Sequence, residues 1–131
     1  MQVKKITKKL RVSHYDAVRC QLITELSFLR KEYLIPSDME FLTLLTLWGP
    51  IELRVFCEEA AKHMDPEMRE IDLAKRAQNV RNRMVKLERR GLVVKHRKGK
   101  KIIMLSPQID IVTDKDIYLD YNYVHIGTAE S

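Results

Sequence analysis

The sequence predicts a mainly helical domain closed by a small β-hairpin, with an extended arm at each end. Three observations predict it. Apolar residues recur at helical spacing through most of residues 13–90. Two short apolar runs then face each other across a cationic turn. The first dozen residues and residues 107–131 follow neither pattern. The expected organisation is therefore a basic arm over 1–12, a domain over 13–106 and an acidic, aromatic arm over 107–131.

The elements follow in order. MQVKKITKKLRV reads as a basic arm, for which a frayed, solvated end is the plain alternative. A helix is expected from Ser13 to Lys31, with Val18, Leu22, Leu26 and Leu29 as its apolar stripe. Tyr33 to Pro36 break it, because the residue before a proline resists the α region. Ser37 and Glu40 match a capping box that opens a second helix. Its segment Phe41 to Trp48 is apolar nearly all round, which implies a central helix covered on several sides. Gly49-Pro50 ends it. A third helix is expected over Ile51 to His63, with Leu53, Phe56, Cys57, Ala60 and Ala61 inward. The fourth opens either at Asp65-Pro66 or near Asp72.

That fourth helix carries Leu73, Ala77, Val80, Met84 and Leu87 on one face and a dense set of bases elsewhere. Gly91 suits its left-handed stop. Leu92 to Val94 and Ile102 to Leu105 read as paired strands around the turn His96 to Lys101. Farther on, Asp116 to Ile126 alternate as a strand does, with Ile117, Leu119, Tyr121 and Tyr123 on one side. Either this strand joins the domain's own small sheet or it adds to another subunit. Those four residues are the candidate partner-binding set.

Charge is segregated along the chain. Residues 1–11 carry +5, residues 12–65 carry −4, residues 66–101 carry +9 and residues 102–131 carry −4, within a net charge of +6. A uniformly solvating surface would not divide this way, so the basic segment is read as a face for a polyanion, nucleic acid first. No apolar run is long enough for a membrane span, and no apolar region follows the N-terminal charges, so neither membrane insertion nor a signal peptide is expected. Cys20 and Cys57 lie in helical patterns and are expected to be buried, reduced thiols in the cytoplasm, or in a virion on the alternative reading.

The run Val80-Arg81-Asn82-Arg83-Met84-Val85-Lys86-Leu87-Glu88-Arg89-Arg90-Gly91-Leu92-Val93, with Ser37 to Trp48 as a first core helix, resembles the winged helix-turn-helix superfamily and its MarR-like regulators. The resemblance covers roughly residues 37–106. It implies a helix-turn-helix whose last helix enters the major groove and whose hairpin, the wing, meets the backbone. On that implication Gln78, Asn79, Arg81 and Asn82 would meet base edges, joined by Arg83 in the interface. Lys86, Arg89 and Arg90 would meet phosphates, and Lys95, Arg97, Lys98, Lys100 and Lys101 would line the wing.

Catalysis finds little support. His14, His63, His96 and His125 are far apart, none pairs with Cys or a carboxylate at metal-ligand spacing, and no glycine-rich phosphate loop occurs. No enzyme activity, cofactor or metal is expected. Two functions remain: a small, dimeric DNA-binding regulator, or a structural subunit of a large assembly such as a phage connector or tail ring. In the second the domain is a packing block and the oppositely charged arms clamp neighbours.

Overall fold

A computed structural model of the protein describes residues 2–96, 101–114 and 117–127. Among these residues four α-helices carry two small antiparallel sheets. In chain order the elements are β1 (Gln2–Arg11), α1 (His14–Leu22), a π-helical turn (Ile23–Leu29), α2 (Pro36–Trp48), β2 (Ile51–Glu52), α3 (Leu53–Met64), a 3₁₀ turn (Glu70–Asp72), α4 (Leu73–Arg89), β3 (Val93–Lys95), β4 (Ile102–Leu105) and β5 (Tyr118–Gly127). No helix among the described residues is long and apolar enough to cross a membrane.

α1 starts as the sequence predicts, with the Ser13 hydroxyl accepting from the Asp16 amide at 3.1 Å. Val18, Leu22 and Leu26 are buried along its stripe. The widened π turn then breaks the phase, and Leu29, expected inward, is exposed with Phe28. Lys31 closes the element at φ 53°, and the Glu32 amide reaches back to the Leu26 carbonyl at 2.8 Å.

α2 is the central helix. Met39, Phe41, Leu42, Thr43, Leu44 and Leu45 are all buried. The Thr43 and Thr46 hydroxyls donate to the carbonyls of Met39 and Leu42 at 2.8 and 2.7 Å, so burial leaves them no orphaned donor. The expected capping box does not form. Ile35 is the cap, Pro36 opens the first turn, and no side chain caps the helix. The Glu40 carboxylate turns instead toward α1 and α3, where it accepts from the Tyr15 hydroxyl, Arg19 at 3.0 Å and His63 at 3.2 Å. Asp65 likewise ends α3 rather than opening the next helix, and α4 begins at Leu73 after the 3₁₀ turn.

Ile51 and Glu52, expected as helix, form β2. They pair with Ile103 and Ile102 of β4, whose other edge pairs with β3. The expected hairpin is thus the larger part of a three-stranded sheet ordered β2-β4-β3. Gly49 precedes it at a point where a Cβ would lie 2.7 Å from the Leu45 carbonyl oxygen, so only glycine lets the chain leave α2 there. Phe56, Val80, Met84, Leu87, Val93 and Ile103 join the α2 residues in one core.

The two arms pair with each other. β1 and β5 run antiparallel over ten residues each, from Gln2 opposite Gly127 to Arg11 opposite Tyr118. The C-terminal strand therefore does not join the domain sheet; within the chain its partner is the basic N-terminal arm. Nor is residue 107 the start of a free arm. Ile109 is buried in the core and Ile111 packs against it. Gln21 bonds both the amide and the carbonyl of Val112, at 2.8 and 2.7 Å, and Arg30 donates to the Gln108 carbonyl at 2.7 Å.

Candidate nucleic-acid interface

The helical repeat sorts the polar residues of α4 into an outer face and two shoulders. Lys75, Gln78, Asn82, Lys86 and Arg89 occupy the outer face, opposite Val80, Met84 and Leu87, and all five are exposed. The amides of Gln78 and Asn82, one turn apart, hydrogen-bond each other at 3.0 Å. Lys75, Lys86 and Arg89 make no ion pair with a described residue. Just beyond α4, Gly91 takes φ 78° and releases the chain into β3, bringing Lys95 to the exposed side of the sheet.

Three arginines have a different fate. Arg76, Arg83 and Arg90 recur every seven residues, which puts them along one shoulder. Each meets an acid from another part of the body. Arg83 holds Asp38 at the start of α2 through two bonds of 2.9 and 2.6 Å, and Asp38 is 1% exposed. Arg90 meets Glu32 at 2.6 Å, and Arg76 meets Asp65 at 3.7 Å. The Asp38 bonds hold the Arg83 guanidinium pKa above its already high value, so it stays charged throughout. Arg83 and Arg90, expected at the interface, are thus engaged in fastening α4 to the rest of the molecule.

On the other shoulder Arg81 is half-buried beside α3, near enough to act on the Cys57 thiol. Burial pushes that thiol up to about 11, against a smaller lowering by Arg81. Asn79 lines a cleft with Ser37, Phe41 and Arg83. Of the expected wing residues, Lys95 and Lys101 are exposed, and Lys101 adopts φ 56°. Arg97, Lys98 and Lys100 lie outside the described residues.

The sequence reading missed the seven-residue spacing of Arg76, Arg83 and Arg90. Arginines stepping at that interval beside an apolar stripe belong to the rim of a packed face, where acids of neighbouring elements can reach them. It also left out Lys75, which lies on the outer face of α4. Of the expected partner-binding residues, Ile117 and Leu119 are half-buried at the foot of the β1–β5 ribbon, whereas Tyr121 and Tyr123 are exposed along it.

Among the described residues no group of three or more His, Cys, Asp or Glu side chains could hold a metal ion. Comparison with known proteins yields no counterpart: no family model, no curated protein and no solved structure matches the chain.

Proposed function

We propose that this chain is a non-enzymatic winged-helix protein that holds duplex DNA with α4 and the β3–β4 hairpin. The order α2, β2, α3, α4, β3, β4, with β2 closing the hairpin into a sheet, suits that architecture. One observation carries the functional reading: three cations with no acid partner among the described residues and two paired amides share the outer face of a single helix. An α-helix fits the major groove, where amides discriminate base edges and cations meet phosphates. Lys95 and Lys101 extend the positive surface onto the hairpin.

The test is fluorescence anisotropy on duplex DNA over a salt series. Lys86→Ala and Arg89→Ala are expected to weaken every sequence alike and to lower the salt slope by about one each. Asn82→Ala should relax base preference. Absence of duplex binding at low salt, or indifference to Lys86 and Arg89, would remove the reading.

A second reading, a structural subunit of a large assembly, is favoured by the ribbon. Val3, Tyr118, Tyr121, Tyr123, Val124 and Ile126 are all at least 41% exposed on it. A two-stranded ribbon is marginal in water without something to pack against.

A further inference from the structure

The ribbon and a cleft at its own foot are complementary in both hydrophobicity and charge. Opposite residues of paired strands share a face, so Val3 with Ile126 and Lys5 with Val124 form one side of the ribbon's far end. Val3, Val124 and Ile126 are 59, 52 and 63% exposed. Lys5 lies among them on that side, whereas Lys4, opposite His125, faces the other way. This is the end away from the body, because the chain enters and leaves the body at the Arg11–Tyr118 end.

The cleft has a volume of about 380 Å³ and lies between the π turn and the start of β5. Ile23, Phe28, Leu119 and Tyr121 supply its apolar wall; Glu25, Asp110 and Asp120 line it as well, with no base among the described lining residues. Phe28 is 70% exposed there, and Leu29 and Tyr33, close by in sequence, are 66 and 81% exposed. Tyr121 lines the cleft together with Cys20, whose charge and proximity raise the phenol pKa.

We infer that the ribbon tip of one copy docks into the cleft of the next copy. The aliphatic trio would cover the Phe28 wall while Lys5, on the same side, meets the acids of the cleft. A chain cannot satisfy its own cleft, because the tip stands roughly 20–25 Å along the ribbon from its foot at about 3.3 Å per residue. Tip and cleft are different surfaces, so the contact is heterologous and propagates head to tail into a ring or a string. A polyanion is a poorer occupant of the tip, since it would leave the aliphatic trio wet. The inference supplies the contact that the assembly reading needs and rests on that reading; it is independent of what α4 meets.

The experiment is mass measurement of the full chain by light scattering between about 1 and 100 µM, the range in which contacts of this size are resolved. The wild type is expected to associate, more weakly at high salt. Val124→Asp with Ile126→Asp should weaken association at least about a hundredfold, as desolvating two charges in an apolar contact demands. Phe28→Asp should do the same from the other side. An equimolar mixture of these two variants should stop at a one-to-one dimer, because only one intact tip and one intact cleft remain. Lys5→Glu, which preserves the aliphatic trio, should also weaken association and be rescued when mixed with Glu25→Lys. If the chain associates but tip and cleft variants leave its mass unchanged, the inference falls and the assembly reading survives. A wild-type monomer throughout the range overturns both. Tip variants that lower DNA affinity without altering mass assign the ribbon to nucleic acid and overturn the inference.

Discussion

Asp38 is an acid with almost no access to water, held by both N–H arms of the Arg83 guanidinium. Such a pair is sensitive to the loss of one partner, because the remaining charge stays buried. Arg83 itself keeps 30% of its side-chain surface, so solvent softens the loss. Arg83→Ala is expected to cost about 2–4 kcal/mol in urea unfolding, whereas Lys86→Ala on the outer face should fall within about 0.5 kcal/mol. Equal effects would mean that the outer face of α4 and its Arg83 shoulder do not differ as described. Cys57 gives a pH signature. Its thiol is 3% exposed and titrates near 11 in the folded chain against 9.0 ordinarily. Above pH 9 the unfolded chain releases this proton and the folded chain keeps it, so stability present below 9 is lost as pH rises toward 11. The wild type should therefore lose about 2 kcal/mol more than Cys57→Ala between pH 8 and pH 11. Parallel pH profiles for the two proteins would show that burial does not hold the thiol neutral.

At the scale of elements, the sequence was legible where one local rule had no rival. Leu73, Val80, Met84 and Leu87 define α4 by period, and Gly91 sits at the left-handed stop they call for. Ser13 caps α1 as a short side chain before a helix should. The rule misled where tertiary partners were stronger. Ser37 and Glu40 have capping-box spacing, yet Glu40 gains three donors from α1 and α3, more than one cap bond offers. Ile51 and Glu52 look helical in sequence, but β4 presents an unpaired edge and takes them as a strand. The interface was legible in composition and not in assignment. Basic residues on α4 were counted together, though their angular positions separate Lys75, Lys86 and Arg89 on the outside from Arg76, Arg83 and Arg90 on the packed shoulder. Pairing between the two arms was hidden because it joins residues more than a hundred positions apart, where no local pattern reports it.

For the whole molecule, the boundary between body and ribbon decides which pieces are separable. Ribbon residues are nearly all exposed, so removing 1–11 together with 115–131 takes little apolar surface out of the core. The segment 107–114 is different. Ile109 is 4% exposed, Ile111 packs beside it, and His14 and Gln21 hold the backbone at Thr113 and Val112. A chain of residues 12–114 should thus unfold cooperatively with a midpoint within a few degrees of the full protein. A chain of residues 12–106 loses the two isoleucines and those hydrogen bonds, and should be less stable by about 3–5 kcal/mol. The 12–114 piece should also stay monomeric under the head-to-tail contact, since it lacks the tip and part of the cleft. It should still bind duplex DNA through α4, more weakly because Lys4, Lys5, Lys8, Lys9 and Arg11 are gone. Thermal melts of the three proteins check the boundary, and equal midpoints for the two truncations would show that residues 107–114 contribute nothing.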